Sequence, residues 1–193
     1  MQEDSPAVKQ FSIFKQALKL SEGSRRQNLG EISSLSRWDF DERESFRFRT
    51  GGPSVEYACL MIENALLLQT NRAGRVYAGF EKLSCMQPIV DRYLRIADIS
   101  ESVYVFGEAD WKPPRHPNIR VVTLPPDFQL TREWFLIAMS PTLQVALIAL
   151  DEGSLNTTLL YQRNFSAIKT SDPHTVKQLA RVAEGMIDWS VAA

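Results

Sequence analysis

The chain has 193 residues, 44% hydrophobic and 23% charged, the proportions of a soluble globular protein long enough to bury a core without staples. Its formal net charge of −1 excludes broad electrostatic binding to nucleic acid or anionic lipid. Two cysteines (Cys59 and Cys85) and two histidines are too few and too scattered for a zinc site. The opening MQEDSPAVKQ has no signal-peptide core, and no apolar run approaches the ~20 residues that span a bilayer, so the expected compartment is the cytoplasm, with no membrane insertion.

Residues 1–10 read as a flexible, polar start. From Ala7 to Leu20, Val8, Phe11, Ile13, Phe14, Ala17 and Leu18 recur near helical spacing, which predicts one amphipathic helix stopped at Ser21-Glu22-Gly23. Residues 24–50 read as an irregular insertion or a small hairpin: Trp38/Phe40 and Phe46/Phe48 each alternate with polar residues about a turn at Asp41–Glu44. Arg37, Arg43, Arg47 and Arg49 have acidic neighbours there and read as a solvated face, not a nucleic-acid surface.

Gly51–Ser54 breaks the pattern and leads into a well-buried helix over Val55–Thr70, with Ser54 as its cap or Pro53 marking an earlier start, and with Cys59 as a buried free thiol. Gly74 suits a left-handed stop. The strand-like RVYAGFE (Arg75–Glu81), a helix over Met86–Asp98 capped by Ser84, and the strand SVYVFG (Ser102–Gly107) predict a parallel pair with a helical crossover. A proline-dense loop, Glu108–Asn118, leads to a strand at Ile119–Leu124.

Trp134–Met139 and Leu143–Leu150 are short apolar runs joined by Ser140-Pro141-Thr142, so they predict a hairpin buried on both faces at the centre of the sheet. A further strand is expected around Thr157–Gln162, with another apolar patch at Phe165–Ile168. Asp172-Pro173 opens a final helix running to Trp189, and residues 190–193 form a tail. The fold class is α/β (α+β): a single mixed sheet of about five to six strands with a central hairpin, flanked by about four helices.

The catalytic motifs are missing. There is no phosphate-binding glycine loop, no G-x-S-x-G elbow and no H-E-x-x-H helix. His116 with Asp110 is the one acid–base pair the order of residues suggests, and a solvated loop histidine is the better reading; His174, at a helix start, reads as a neutral surface residue. No catalytic or metal-ligating residue is therefore assigned. Ligands of open α/β sheets gather beyond the carboxyl ends of parallel strands. Phe80, Glu81, Arg92, Tyr93, Phe106, Gly107 and Trp134 could line such a pocket, with the competing reading that the aromatics are core and Arg92 pairs with a carboxylate.

The ordered series Gly79-Phe80-Glu81-Lys82, Asp91-Arg92-Tyr93, Val103–Gly107, Glu133-Trp134-Phe135-Leu136 and Ala146–Glu152 resembles the DICT sensory domain family, as do Ile62-Glu63-Asn64 and the tail segment Phe165–Pro173. The resemblance spans roughly Phe11 to Trp189, so residues 11–189 are expected to be one DICT-like domain. The family occurs with diguanylate cyclases and two-component systems, often in cyanobacteria, with a suggested link to light responses. It brings no established catalytic residues, and its ligand and cofactor are unknown. The resemblance implies a non-catalytic signal-transduction module that regulates a partner: a histidine kinase, response regulator, cyclase or transcription regulator. Self-association would run through the amphipathic terminal helices, whose exposed apolar faces would mark an interface. The second reading is a small-molecule sensor with its pocket between the strand ends and the Glu108–Asn118 loop. An enzyme of unknown class comes last.

Overall fold

The structure is a computed structural model that describes residues 6–20, 27–69, 73–153 and 159–192. Its described residues form two short helices, α1 (Pro6–Lys9) and α2 (Ile13–Leu20), then β1 (Gln27–Glu31), α3 (Arg37–Glu42), β2 (Ser45–Gly51) and α4 (Gly52–Leu67). There follow β3 (Arg75–Lys82), α5 (Val90–Ile99), β4 (Ser102–Glu108) and β5 (Ile119–Thr123). The chain ends with β6 (Glu133–Met139), β7 (Gln144–Asp151), β8 (Asn164–Thr170) and α6 (Pro173–Ala192).

One mixed sheet holds all eight strands in the order β1-β2-β8-β7-β6-β3-β4-β5. The expected mixed sheet is there, but eight strands and six helices exceed the five to six and four anticipated. The hairpin β6/β7 occupies its centre, in register from Glu133↔Leu150 to Met139↔Gln144. Its turn is closed by Ser140, whose N–H donates to the Leu143 carbonyl (2.8 Å) and whose Oγ accepts from the Leu143 N–H (2.9 Å). The pair β3/β4 is parallel and α5 connects it, as the strand–helix–strand order requires.

Alternation along each strand divides the core into two layers. Val76, Ala78, Phe80, Leu136, Leu147 and Ala167 face α4 and α5; Tyr77, Phe106, Phe135, Ile137, Ile148 and Ile168 face α2 and α6. Gly79 lies where Phe135 crosses β3: a Cβ there would come within 2.0 Å of the Phe135 ring. Gly74 has φ +116° just ahead of β3, but it does not stop the helix as expected: α4 ends at Leu67 and its C-cap is Leu68, in right-handed conformation, whose N–H donates to the Asn64 carbonyl.

Several expectations are corrected. Residues 37–42 form a helix, not half of a hairpin, because Ser36 Oγ accepts the Asp39 N–H and caps it. β2 pairs antiparallel with β8 and parallel with β1, a partner with no hydrophobic pattern of its own. The single helix expected over 7–20 is broken, since Ser12 Oγ accepts the Lys15 N–H and starts α2 anew. Ser54 does not cap α4; the cap position is Gly51, and Ser54 Oγ donates to the Ser33 carbonyl. Leu83–Ile89 is a 3-10 turn, so α5 starts only at Val90, past Pro88.

The last strand begins at Asn164 and uses the Phe165–Ile168 patch; Leu160–Gln162 is a 3-10 turn, and residues 154–158 of the expected Thr157–Gln162 strand lie outside the described residues. So do residues 1–5 of the expected flexible start (1–10), of which Pro6–Lys9 instead form α1, and the Ser21–Gly23 stop and Asn71-Arg72. Asp172 caps α6 as expected, accepting the Thr175 N–H at 2.8 Å.

The terminal helices do not present free apolar faces. Ile13, Phe14 and Ala17 of α2 and Val176, Leu179 and Ala183 of α6 are buried against the sheet and each other. Lys169, on β8, is buried beside Phe40 and Phe46 and donates to the Arg43 carbonyl at 2.6 Å. Burial lowers its ammonium to about 8.

Candidate functional site

The carboxyl end of β3 and the amino ends of β6 and β8 open, with α4, into a cleft of about 830 Å³. That is the size range of small-molecule sites. Its floor is aromatic: Phe80 from β3, Trp134 from β6 and Phe165 from β8, with the Trp134 and Phe165 rings edge to face at 6.2 Å. Leu60 on α4 and Pro88 and Ile89 ahead of α5 form apolar walls, and Tyr57 stands exposed on α4.

The polar lining is organised by three arginines. Arg163 reaches two strands at once, with Nη1 2.6 Å from Glu81 and Nη2 2.7 Å from the buried Asp151. Glu81 lies within an irregularity at the end of β3, which runs three residues from Gly79 to Lys82 where β4 runs two from Phe106 to Glu108. Such a bulge re-aims a side chain out of strict alternation. Arg92 binds Glu63 at 2.7 Å on the buried face of α4. Burial still raises the Glu63 carboxyl above its ordinary value, with Arg92 opposing it.

Arg132 differs from the other two. Its Nη2 donates to the carbonyls of Asp151 (3.2 Å) and Gly153 (3.1 Å). Among the described residues no carboxylate lies within ion-pair distance of it; its buried Nε, like that of Arg163, has no partner among them. Lys82 has Glu108 4.0 Å away, and Glu56 stands exposed on α4.

Between Arg132 and Trp134, Glu133 points to the opposite face of the sheet, where Phe135 also lies. It is 1% exposed, and its Oε2 accepts the Phe14 N–H at 2.9 Å, at the start of α2. Burial raises this carboxyl to about 7, against the opposing effect of bonds from Ser12, Phe14 and Ile13 and the charge of Lys15. Its Oε1 is buried without a partner among the described residues.

Of the residues expected to line a pocket, Phe80, Glu81, Arg92 and Trp134 come together in this cleft. Tyr93 lies beneath it, edge to face with Phe80 at 5.8 Å and fully buried, which pushes its hydroxyl well above the usual range. Phe106 faces α2 and α6, 5.5 Å from Phe135. Gly107 abuts Leu83, where a Cβ would sit 3.1 Å from its backbone nitrogen. Arg163, Asp151 and Arg132 were not among the expected residues. Asp151 and Arg132 carried one signal, as charges bounding buried strands; Arg163 carried none.

The Glu108–Asn118 loop encloses a separate, more open hollow with Trp111, His116 and Val121 on its walls. Here the His116–Asp110 pair, the less favoured reading of the sequence, does not form, and the preferred solvated loop histidine is corrected as well, since the His116 side chain is largely covered and hydrogen-bonded. His116 Nε2 lies 3.1 Å from Asp98, its Nδ1 accepts the Asn118 N–H, and Asp110 accepts both the N–H and the hydroxyl of Ser84. Of the four arginines singled out between residues 37 and 49, Arg37 is matched by Asp41, Arg43 by Asp39 and Arg49 by Glu152, while Arg47 donates to the Ser166 hydroxyl. Among the described residues no group of three His, Cys, Asp or Glu is placed to hold a metal ion, and no helix is long and apolar enough to cross a membrane.

No curated protein matches the chain. Among solved structures it is similar to a polyphosphate kinase from Porphyromonas gingivalis, at 16% identity and TM-score 0.49, covering 86% of this chain and 28% of the kinase. It is also similar to NucT from Helicobacter pylori, at 13% identity and TM-score 0.43, covering 75% of this chain and 97% of the other. A phospholipase D family member, Nuc from Salmonella typhimurium, aligns at 9% identity and TM-score 0.39 over 75% of this chain and 94% of its own.

The family model described as DICT, "Sensory domain in DIguanylate Cyclases and Two-component system", matches residues 57–152. That span holds Tyr57, Leu60, Glu63, Phe80 and Glu81 of the cleft together with Arg92, Arg132, Trp134 and Asp151. Residues 57–152 of the chain thus match the DICT sensory domain family, the family the sequence resembles.

Proposed function

We propose that the chain is a non-catalytic sensory module which takes a small molecule into the cleft between α4 and the strand ends and passes the change to a partner protein through α2. The observation that carries this reading is the alternation at the start of β6. Arg132 and Trp134 line the cleft on one face, while Glu133, between them, holds the first turn of α2 on the other. A ligand that displaces this segment by a fraction of an ångström acts on both sides of the sheet. Packed cores answer such shifts by moving between discrete arrangements.

The partner would be a signalling protein of a bacterial, environment-responsive pathway, and the module would work in the cytoplasm. The family match over residues 57–152 supports the sensory role; the buried contacts of α2 supply the element whose docking a ligand can bias. Self-association would require α2 or α6 to leave the sheet, so it belongs to the signalling state and not to the resting one.

Hydrogen exchange tests the coupling. The full chain is incubated with a small-molecule extract of its host cells, and exchange is followed over Ile13–Leu20. Altered protection of α2 in the wild type, absent in Leu60→Trp, which fills the cleft, supports the proposal. Unchanged α2 exchange when the cleft is occupied sinks it.

A further inference from the structure

The charges lining the cleft do not all cancel in the same way, and the exception specifies a ligand. Glu81 and Asp151 share Arg163, and Glu63 is matched by Arg92. Arg132 alone among the three guanidinium groups has neutral partners, the carbonyls of Asp151 and Gly153. Those two bonds fix its plane, so little rotamer freedom remains to be lost when a ligand arrives. A guanidinium held in place with no counter-charge among the described residues, beside the aromatic floor of the cleft, favours an anion there. Two carboxylates of the lining have no ion pair among the described residues: Glu56, exposed on α4, where water screens it, and Glu133, whose carboxyl is turned to the Phe14 N–H on the α2 side of the sheet.

The surface beside Arg132 defines the rest of the molecule. Trp134, the next residue of β6 on that face, forms a floor with Phe165 and Phe80, and Leu60 and Ile89 wall it. A flat apolar body matches such a floor, because stacked and edge contacts add to burial of its area.

We infer that the cleft recognises a small organic anion with a flat apolar body, its anionic group on the Arg132 guanidinium and its body along Trp134. This rests on the proposed ligand role of the cleft and adds the chemical class. The anionic group is an oxyanion, a carboxylate or a phosphate, both of which suit a planar fork of N–H donors. Inorganic phosphate has no apolar body and should bind far more weakly than an aromatic anion.

Naphthoate and naphthamide share one flat body and differ in charge, so they separate the two parts of the inference. Their binding to the full chain is measured by calorimetry, with inorganic phosphate as a third probe. Wild type should prefer naphthoate by about tenfold or more, as expected for a charge-assisted pair. Arg132→Gln should abolish that preference and leave naphthamide binding in place. Leu60→Trp should remove both. Equal binding of the two probes to wild type overturns the anion assignment and leaves the cleft standing as a neutral-ligand site. A preference that survives in Arg132→Gln moves the anion elsewhere and overturns the assignment to Arg132. Binding of neither probe, or binding unaffected by Leu60→Trp, overturns the inference through failure of the cleft itself. Because the decisive comparison is made on wild type, it holds even if Arg132→Gln does not fold.

Discussion

Replacing Glu133 with Gln should make the protein more stable at neutral and alkaline pH and change it little in acid. The carboxyl is 1% exposed at the start of α2, and its proton is held up to about 7, against an ordinary value of 4.5. The folded state therefore binds this proton more tightly than the unfolded chain does. The associated stability is fully present below about pH 4.5 and is lost as pH rises through about 7. The interval from 4.5 to about 7 corresponds to about 3 kcal/mol.

Gln keeps a carbonyl to accept the Phe14 N–H and never ionises. The gain should thus appear only where the carboxylate is charged. For a chain of this length, about 3 kcal/mol is about 6–12 °C in Tm. Thermal unfolding of both proteins from about pH 4 to about pH 8 measures it. Curves that run parallel across that range would refute the idea that Glu133 is a strained buried acid under α2.

Other perturbations test the packing and the polar lining. Gly79→Ala forces a Cβ into the Phe135 ring, and urea unfolding should show a loss of about 1–3 kcal/mol; an unchanged midpoint would mean that Phe135 moves freely. Arg163→Gln leaves the buried Asp151 without its cation, and chemical denaturation should register a loss of about 3 kcal/mol, reduced in the double variant with Asp151→Asn. Asp172→Ala removes the cap of α6 and should cost about 1 kcal/mol by the same assay. The Asp172 carboxyl is held below its usual range, chiefly by the Thr175 hydroxyl, so this cap's contribution is present above the ordinary aspartate value of 3.8 and fades as pH falls below it.

The centre of the fold was legible because its strands announce themselves locally. The runs Trp134–Met139 and Leu143–Leu150 have too little polarity for any surface, and strand–helix–strand order implies a parallel pair. The flanks were not. β1, Gln27–Glu31, has no apolar alternation and is a strand only because β2 lies beside it. For residues 37–42 the cue was present in Ser36 and Asp39, three apart, but the alternation of Trp38 and Phe40 pointed the other way.

The cleft divides similarly. Phe80 and Trp134 could be found from strand ends, since their alternation is regular. Phe106 shows how one step of alternation decides a face: it sits beside Val105 in β4 but belongs to the other layer. Glu81 reaches Arg163 past the bulge of β3, and Arg163 lies 82 residues away along the chain, so that pair is a product of tertiary geometry. The terminal helices were the natural transmitters on amphipathicity alone. Their burial shifts attention to the contact that seats α2, Glu133.

Native mass spectrometry of the full chain, purified gently from its host beside Leu60→Trp, tests the central claim most directly. The account predicts a small-molecule adduct on the wild type that is missing from the variant. Bare protein in both samples, with no adduct restored by adding host extract, would contradict it.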